Sequence, residues 1–417
     1  QIIQTAGKTN GNESNQLSIG MKLADNLESG NYTNKLILSF VSNPYTTRSA
    51  LVSGRTFNSI IRDLQTSAGN IKHIRRSSTP PPSNQATRTV SDTTDPESDA
   101  DTFVWLDKNA DNTLYYYSEA NKILLNRDSS GMFWTIEEVT DIDVSTFDTS
   151  IVENMYDMFS NTHNLISLDL SNFDTRNVTI MKDMFYNTYK LKTVNLSSFD
   201  TQNVTDMRGM FKDSRMLQSL DLSNFNTSKV TSMTEMFSGA SALASLNLSN
   251  FNTKNVTDMG RMFMAAKSIQ NLDLSSFDTS NVTDMNAMFS SMYSIESLDI
   301  SNFNTQKVTD MNNMFSMMIE LTTLDISNFD TRNVTNFQSM FAIDESYGSI
   351  GGKLERIYVK NDFDLSSATE TSGLFKFQTR LRGGLGSFES DPRNASYAWL
   401  RIDDPIHGRP GYFTRKP

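Results

Sequence analysis

Eight times along this chain a Phe is followed by Asp or Asn and then Thr. Successive members, Phe147, Phe173, Phe199, Phe225, Phe251, Phe277, Phe303 and Phe329, stand 26 residues apart. A Met-Phe pair keeps the same interval from Met132-Phe133 through Met158-Phe159 to Met340-Phe341. A period of about 20 to 50 residues marks one supersecondary unit stacked on copies of itself. A unit this short buries too little apolar surface to offset the entropy of ordering its own backbone, so neighbours must complete its core.

One full unit runs from Leu191 to Met216. Leu191, Val194, Leu196 and Phe199 read as a strand with its preceding turn. Val204, Met207, Met210 and Phe211 read as one face of a short helix. The Thr-Asp pairs at Thr205-Asp206, Thr257-Asp258, Thr283-Asp284 and Thr309-Asp310 are suited to capping that helix. The expected fold is an α/β solenoid over residues 133–343, with a parallel sheet on one wall and short helical turns on the other.

The flanks differ in character. Residues 1–43 read as the end of a β-domain, with alternation in Leu17–Leu23 and Lys35–Val41; Lys35 with a nearby Asn would permit an intramolecular cross-link there. In residues 44–100, Phe57, Ile60, Ile61 and Leu64 form a helical stripe, followed by an extended connector through Pro80-Pro81-Pro82 and an acidic stretch. Residues 101–132 read as a hairpin whose aromatics cover the open end of the first repeat. Residues 344–417 read as one degenerate repeat and a C-terminal cap. The first residue is Gln1, which reads as a processed form or an excised part of a longer protein.

Cysteine is absent, which excludes disulfides, thiolate metal sites and cysteine nucleophiles. Residues 1–90 carry ten Lys/Arg against four Asp/Glu, whereas residues 133–343 carry 13 against 25. An acidic repeat region repels nucleic acid and anionic lipid, so neither is an expected partner. No apolar run is long enough to span a membrane.

The spacing Leu191-x-x-Val194-x-Leu196 matches the first half of the leucine-rich-repeat pattern. It departs at the ninth position, where Phe199 replaces the usual Asn or Cys; a packed Phe column is expected in place of the Asn ladder. With that departure, Leu168 to Thr179 followed by Met-x-x-Met-Phe closely resembles the BspA-like leucine-rich-repeat surface proteins. Arg75-Arg-Ser-Ser-Thr-Pro, Thr113-Leu-Tyr-Tyr-Tyr and Leu125-Asn-Arg-Asp-Ser-Ser-Gly-Met-Phe resemble that family's lead-in, and Gly411-Tyr-Phe-Thr its ending. The likeness covers about residues 55–417. It implies a right-handed solenoid with the sheet on the concave face and helical turns on the convex face. It also implies a secreted or cell-surface bacterial protein that acts as an adhesin for host matrix proteins, glycans or other cells.

Catalytic chemistry has little footing. His73, His163 and His407 are scattered without acidic or His partners at ligand spacing, and no phosphate loop or nucleophile elbow occurs. Asp107–Asn112 imitates a calcium loop but has Asn112 where Gly is needed and Ser118 where Glu is needed. No catalytic residue, metal or cofactor is therefore expected. Asn203 and Asn281 head glycosylation sequons that arise from the repeat itself.

Two surfaces are candidates for a partner. Asp169, Asn195, Asp221, Asn247, Asp273, Asp299 and Asp325 lie between buried strand positions and form an outward column, at about 4.8 Å per strand. Such a column either attracts a cation, a basic partner or a sugar hydroxyl, or is a solvated face. Met264, Met292, Tyr293, Met317 and Met318 follow the Met-Phe pairs and form either an adaptable apolar strip or additional core. The leading expectation is extracellular recognition of a protein or glycan. The alternatives are a structural spacer or fibre segment, self-associating or not, and a targeting array for a catalytic module outside this sequence.

Overall fold

A computed structural model describes residues 46–416, without Glu97 and residues 348–350. The β-domain end expected at residues 1–43, with Lys35, lies outside the described residues. The single α-helix among them, α1, spans Gly54–Ala68 and buries Phe57, Ile61 and Leu64. No described helix is long and apolar enough to cross a membrane.

The segment before the repeats is folded rather than extended. Five strands form one mixed sheet in the order Thr87–Thr89, Thr102–Asp107, Thr113–Ser118, His73–Arg76, Asp141–Ile142. The Thr102–Asp107 and Thr113–Ser118 strands pair antiparallel, while His73–Arg76 runs parallel to its neighbours. The stretch read as a connector thus supplies Thr87–Thr89 to the sheet, with Val90 fully buried.

From Asp128 to Asn336 the chain winds in 26-residue coils that stack in register, and a longer coil continues the stack to Glu370. Parallel bridges join Asp128, Asn154, Ile180, Asp206, Ser232, Asp258, Asp284, Asp310, Asn336 and Glu370 in succession. The Met-Phe rings form one column from Phe133 to Phe375; Phe211, Phe237 and Phe263 stack at 5.9 and 5.8 Å with nearly parallel planes. Phe375 stacks on Phe341 at 5.4 Å, so the column resumes after the insertion that follows Phe341.

The Met-Phe segments do not form the expected short helices; they are successive turns. Met155, Asp157, Phe159 and Asn161 donate their amides to the carbonyls of Ile180, Lys182, Met184 and Tyr186 at 3.0, 3.1, 3.0 and 2.8 Å. A helix would spend those amides within its own turn; here they are spent on the next coil. The geometry needs a left-handed residue at two positions per coil. Asp157 and Asn161 have φ of 57° and 58°, and Gly209 and Asp213 have 57° and 55°. These short polar residues and Gly tolerate the region better than most.

Strand pairing, by contrast, is discontinuous. Ser167–Asp169 pairs with Thr193–Asn195, and Thr323–Asp325 pairs with Arg356–Val359, which pairs with Phe413–Arg415. The coils between carry no strand. Leu170 and Ile326 donate across to Asn195 and Tyr358 at 3.1 and 2.9 Å, whereas the corresponding amides of Leu222, Leu248, Leu274 and Ile300 make no such bond. The continuous hydrogen-bonded wall is therefore the Met-Phe side, and the expected sheet survives only towards the ends. Other ladders hold the coils together where strand pairing lapses.

Candidate functional site

The column expected on the strand face is present, and its local role is structural first. Asp221 Oδ1 accepts the Ser223 amide at 3.0 Å, Asp273 the Ser275 amide at 2.9 Å and Asp299 the Ser301 amide at 3.0 Å. Asp169, Asn195, Asn247 and Asp325 make the same bond. Each side chain closes an Asx turn, the local device that Asp and Asn share. The turn amide holds the carboxyls of Asp169, Asp221, Asp273 and Asp299 below the usual carboxylate range, so they stay ionised. Asp299 also feels Asp325 and Asp273, but that repulsion is weaker than the hydrogen bonds. Asp325 differs: it is half-buried and paired with Lys416 at 2.6 Å.

Between these ends lies an open stretch. Ser219, Asp221, Ser245, Asn247, Asn271 and Asp273 line a shallow groove of about 460 Å³, with Leu220 and Leu246 at its floor. Asp221, Asp273, Glu296 and Asp299 are exposed there. At the corresponding positions of these coils stand Gln218, Ser219, Ala244, Ser245, Gln270, Asn271 and Ser297, none of them a cation.

The apolar strip does not form. Met292 and Met318 lie in the core at 0% and 2% exposure. They occupy the inward column that Thr188, Ser214, Ala240 and Ala266 hold in earlier coils, so they face inward by register. Met264, Tyr293 and Met317 are half-buried. Lys267 Nζ sits 5.1 Å from the Tyr293 ring, and Met317 Sδ accepts the Asp344 amide.

Thr and Asn side chains, which the apolar spacing does not mark, also join the coils. Thr201 Oγ1 donates to the Asn226 carbonyl at 3.0 Å and accepts the Asn226 amide at 2.8 Å. The pattern repeats from Thr149 with Asp174 to Thr331 with Asp364. Asn224 Nδ2 reaches back to the carbonyls of Leu196 and Phe199 at 3.0 and 2.7 Å, as do Asn172, Asn250, Asn302 and Asn328 in their coils. The Phe column therefore does not replace an Asn ladder; the Asn stands one residue before the Phe. The invariance of Phe-Asp/Asn-Thr was the signal for the Thr ladder.

The histidines have carboxylate neighbours after all. His73 Nδ1 lies 2.5 Å from Asp141 Oδ2, and its Nε2 lies 3.5 Å from Asp111. His163 stacks on Tyr189 at 4.7 Å, and His407 pairs with Asp404 at 2.8 Å. Pairing across strands brought Asp141 beside His73, which sequence spacing does not show. Among the described residues no three His, Asp or Glu are placed to hold a metal ion.

Stacked coils joined by parallel pairing define the class, a repeat protein built mostly of sheet and turn. The family described as "Mycoplasma protein of unknown function, DUF285" matches residues 127–245, 190–297 and 287–396, together well over half of the 417 residues. The chain belongs to that family. No curated protein and no solved structure matches the chain.

Proposed function

We propose that this chain is a non-enzymatic, extracellular recognition protein of leucine-rich-repeat type, akin to the BspA-like surface proteins, whose strand face contacts a protein or glycan on a host or another cell. The observation that carries this reading is the open stretch from Gln218 to Asp299, with ionised carboxylates held in place by their own turns and no counter-cation among the corresponding strand-face positions. Groups fixed before binding lose little freedom on binding, which favours affinity. A carboxylate row without cations also favours specificity and rapid encounter with a complementary partner.

The test is binding of the whole chain to an array of matrix proteins, glycans and bacterial surfaces at low and high salt. Asp221, Asp273 and Asp299 are changed together to Asn, because Asn195 and Asn247 already close the same turn. The triple variant is expected to keep its thermal midpoint and lose a saturable, salt-sensitive interaction by about tenfold or more. Binding that survives the triple change would place recognition elsewhere.

The ladder from Asp128 to Glu370 favours a second reading, a spacer that projects other domains. Silence across the array, together with concentration-dependent self-association, would support it.

A further inference from the structure

A second region, on segments other than the strand face, lies along α1. One polar stripe of α1, Arg55, Asn58, Ser59, Arg62 and Gln65, lines together with Trp134 an open pocket of about 530 Å³. These positions fall on one helical face, opposite the stripe of Phe57, Ile61 and Leu64 that enters the core.

Part of this stripe is already engaged. Asn58 is 4% exposed and donates to the Trp134 carbonyl at 2.9 Å. Arg55 lies 4.8 Å from the Trp134 ring and pairs with Asp157 at 3.0 Å. Two donors have no acceptor among the described residues. Arg62 is exposed, sits 5.6 Å from the Trp134 ring centroid and makes no ion pair among the described residues. Gln65 Nε2 is buried and makes no hydrogen bond. Such a donor in a native fold calls for an acceptor, from water or from a ligand. Asp63 and Asn70 also reach the lining, so the cavity is not uniformly cationic. What it offers is an unpaired planar fork and an unpaired amide on one face, three residues apart.

We infer that this cavity binds an oxyanion, a carboxylate or sulfate of the kind carried by acidic sugars, with the Arg62 guanidinium and the Gln65 amide as its donors and Trp134 as its wall. Guanidinium forks take carboxylate and sulfate-like groups by paired N–H bonds, which a lysine does not reproduce. The inference is independent of the strand face, which lies on other segments of the chain.

Isothermal titration of the whole chain with inorganic sulfate, inorganic phosphate and glucuronate tests it. The expected result is saturable binding of at least one, weakened about ten- to a hundredfold by Arg62→Gln. Gln65→Leu is expected to weaken it too, and Arg62→Lys to restore only part of the affinity. Arg215→Gln removes a guanidinium stacked on Tyr189 in a different coil and is expected to change nothing. Equal binding of all three probes points to a free oxyanion, and preference for glucuronate to a sugar-borne one; both uphold the site. No saturation below ~10 mM with any probe, or wild-type affinity in both Arg62→Gln and Gln65→Leu, overturns it.

Discussion

Asp183 shows how far the stack bends the behaviour of a single residue. It holds one of the left-handed positions, with φ of 52°, and its carboxylate lies over Gly209, where any Cβ would collide with Oδ1. Burial there, aided by Asp157 and Glu235 and opposed by Lys182 and Lys212, pushes the carboxyl up to about 6. The folded chain therefore keeps this proton up to about pH 6, while the unfolded chain releases it near 3.8. Folded molecules bind more protons between those values, so this group's contribution to stability falls as pH rises through them. Asp183→Asn keeps the shape, tolerates the left-handed backbone and removes the charge. Urea midpoints from about pH 4 to about pH 7 are expected to show the variant more stable at the upper end, with the difference closing towards the lower end.

At the scale of the coil, hydroxyls and amides rather than strands join one repeat to the next. Thr227 is fully buried, donates to the Asn252 carbonyl at 2.9 Å and accepts the Asn252 amide at 2.8 Å. Thr227→Val preserves volume and leaves both backbone groups without a partner. The expected loss is about 2–4 kcal/mol, read as a lower urea midpoint with unchanged near-ultraviolet dichroism. The same logic explains what was legible in the sequence. Phe147 to Phe329 announced the period, and the inward Leu, Val, Met and Phe positions followed from it, because a stacked coil must send the same residue inward each time. The helical turn expected at Val204, Met207, Met210 and Phe211 was not legible. Spacing of apolar residues reports which side chains are buried, and it does not report whether an amide bonds within its own turn or to the next coil.

Over the whole molecule, the Met-Phe ladder has a direction. The amides of Met155, Met181, Met207, Met233, Met259, Met285 and Met311 all donate towards the C-terminal neighbour, so the carbonyls face the N-terminal end. Peptide dipoles aligned in this way reinforce one another, as they do in a helix. The carbonyl end is closed by α1: Gly54 donates to Asp128 at 2.8 Å, and Asn58 reaches the carbonyls of Met132 and Trp134. Gly54 lets the two backbones approach, since a Cβ there would lie 2.5 Å from both Ser129 C and Ser130 O. Asn58→Ala uncovers those carbonyls. Stacked repeats communicate mainly with their neighbours, so the effect should be local. Hydrogen exchange is expected to quicken at the amides of Gly131, Phe133 and Thr135 and to stay unchanged at Phe237 and Phe263; uniform acceleration would contradict the local cap.

The sequence by itself determined the period, the stacking and the inward columns, because one apolar pattern repeated at fixed spacing leaves a short unit no other way to bury its core. It also placed Asp221, Asp273 and Asp299 on one outward line, since residues between buried strand positions point outward. Only the tertiary structure decided that Met292 and Met318 face inward, that strand pairing lapses between Asn195 and Thr323, and that His73 meets Asp141. Those outcomes depend on distances between neighbouring coils and between paired strands, and hydrogen bonds are lost or made over a few tenths of an ångström that no residue spacing encodes.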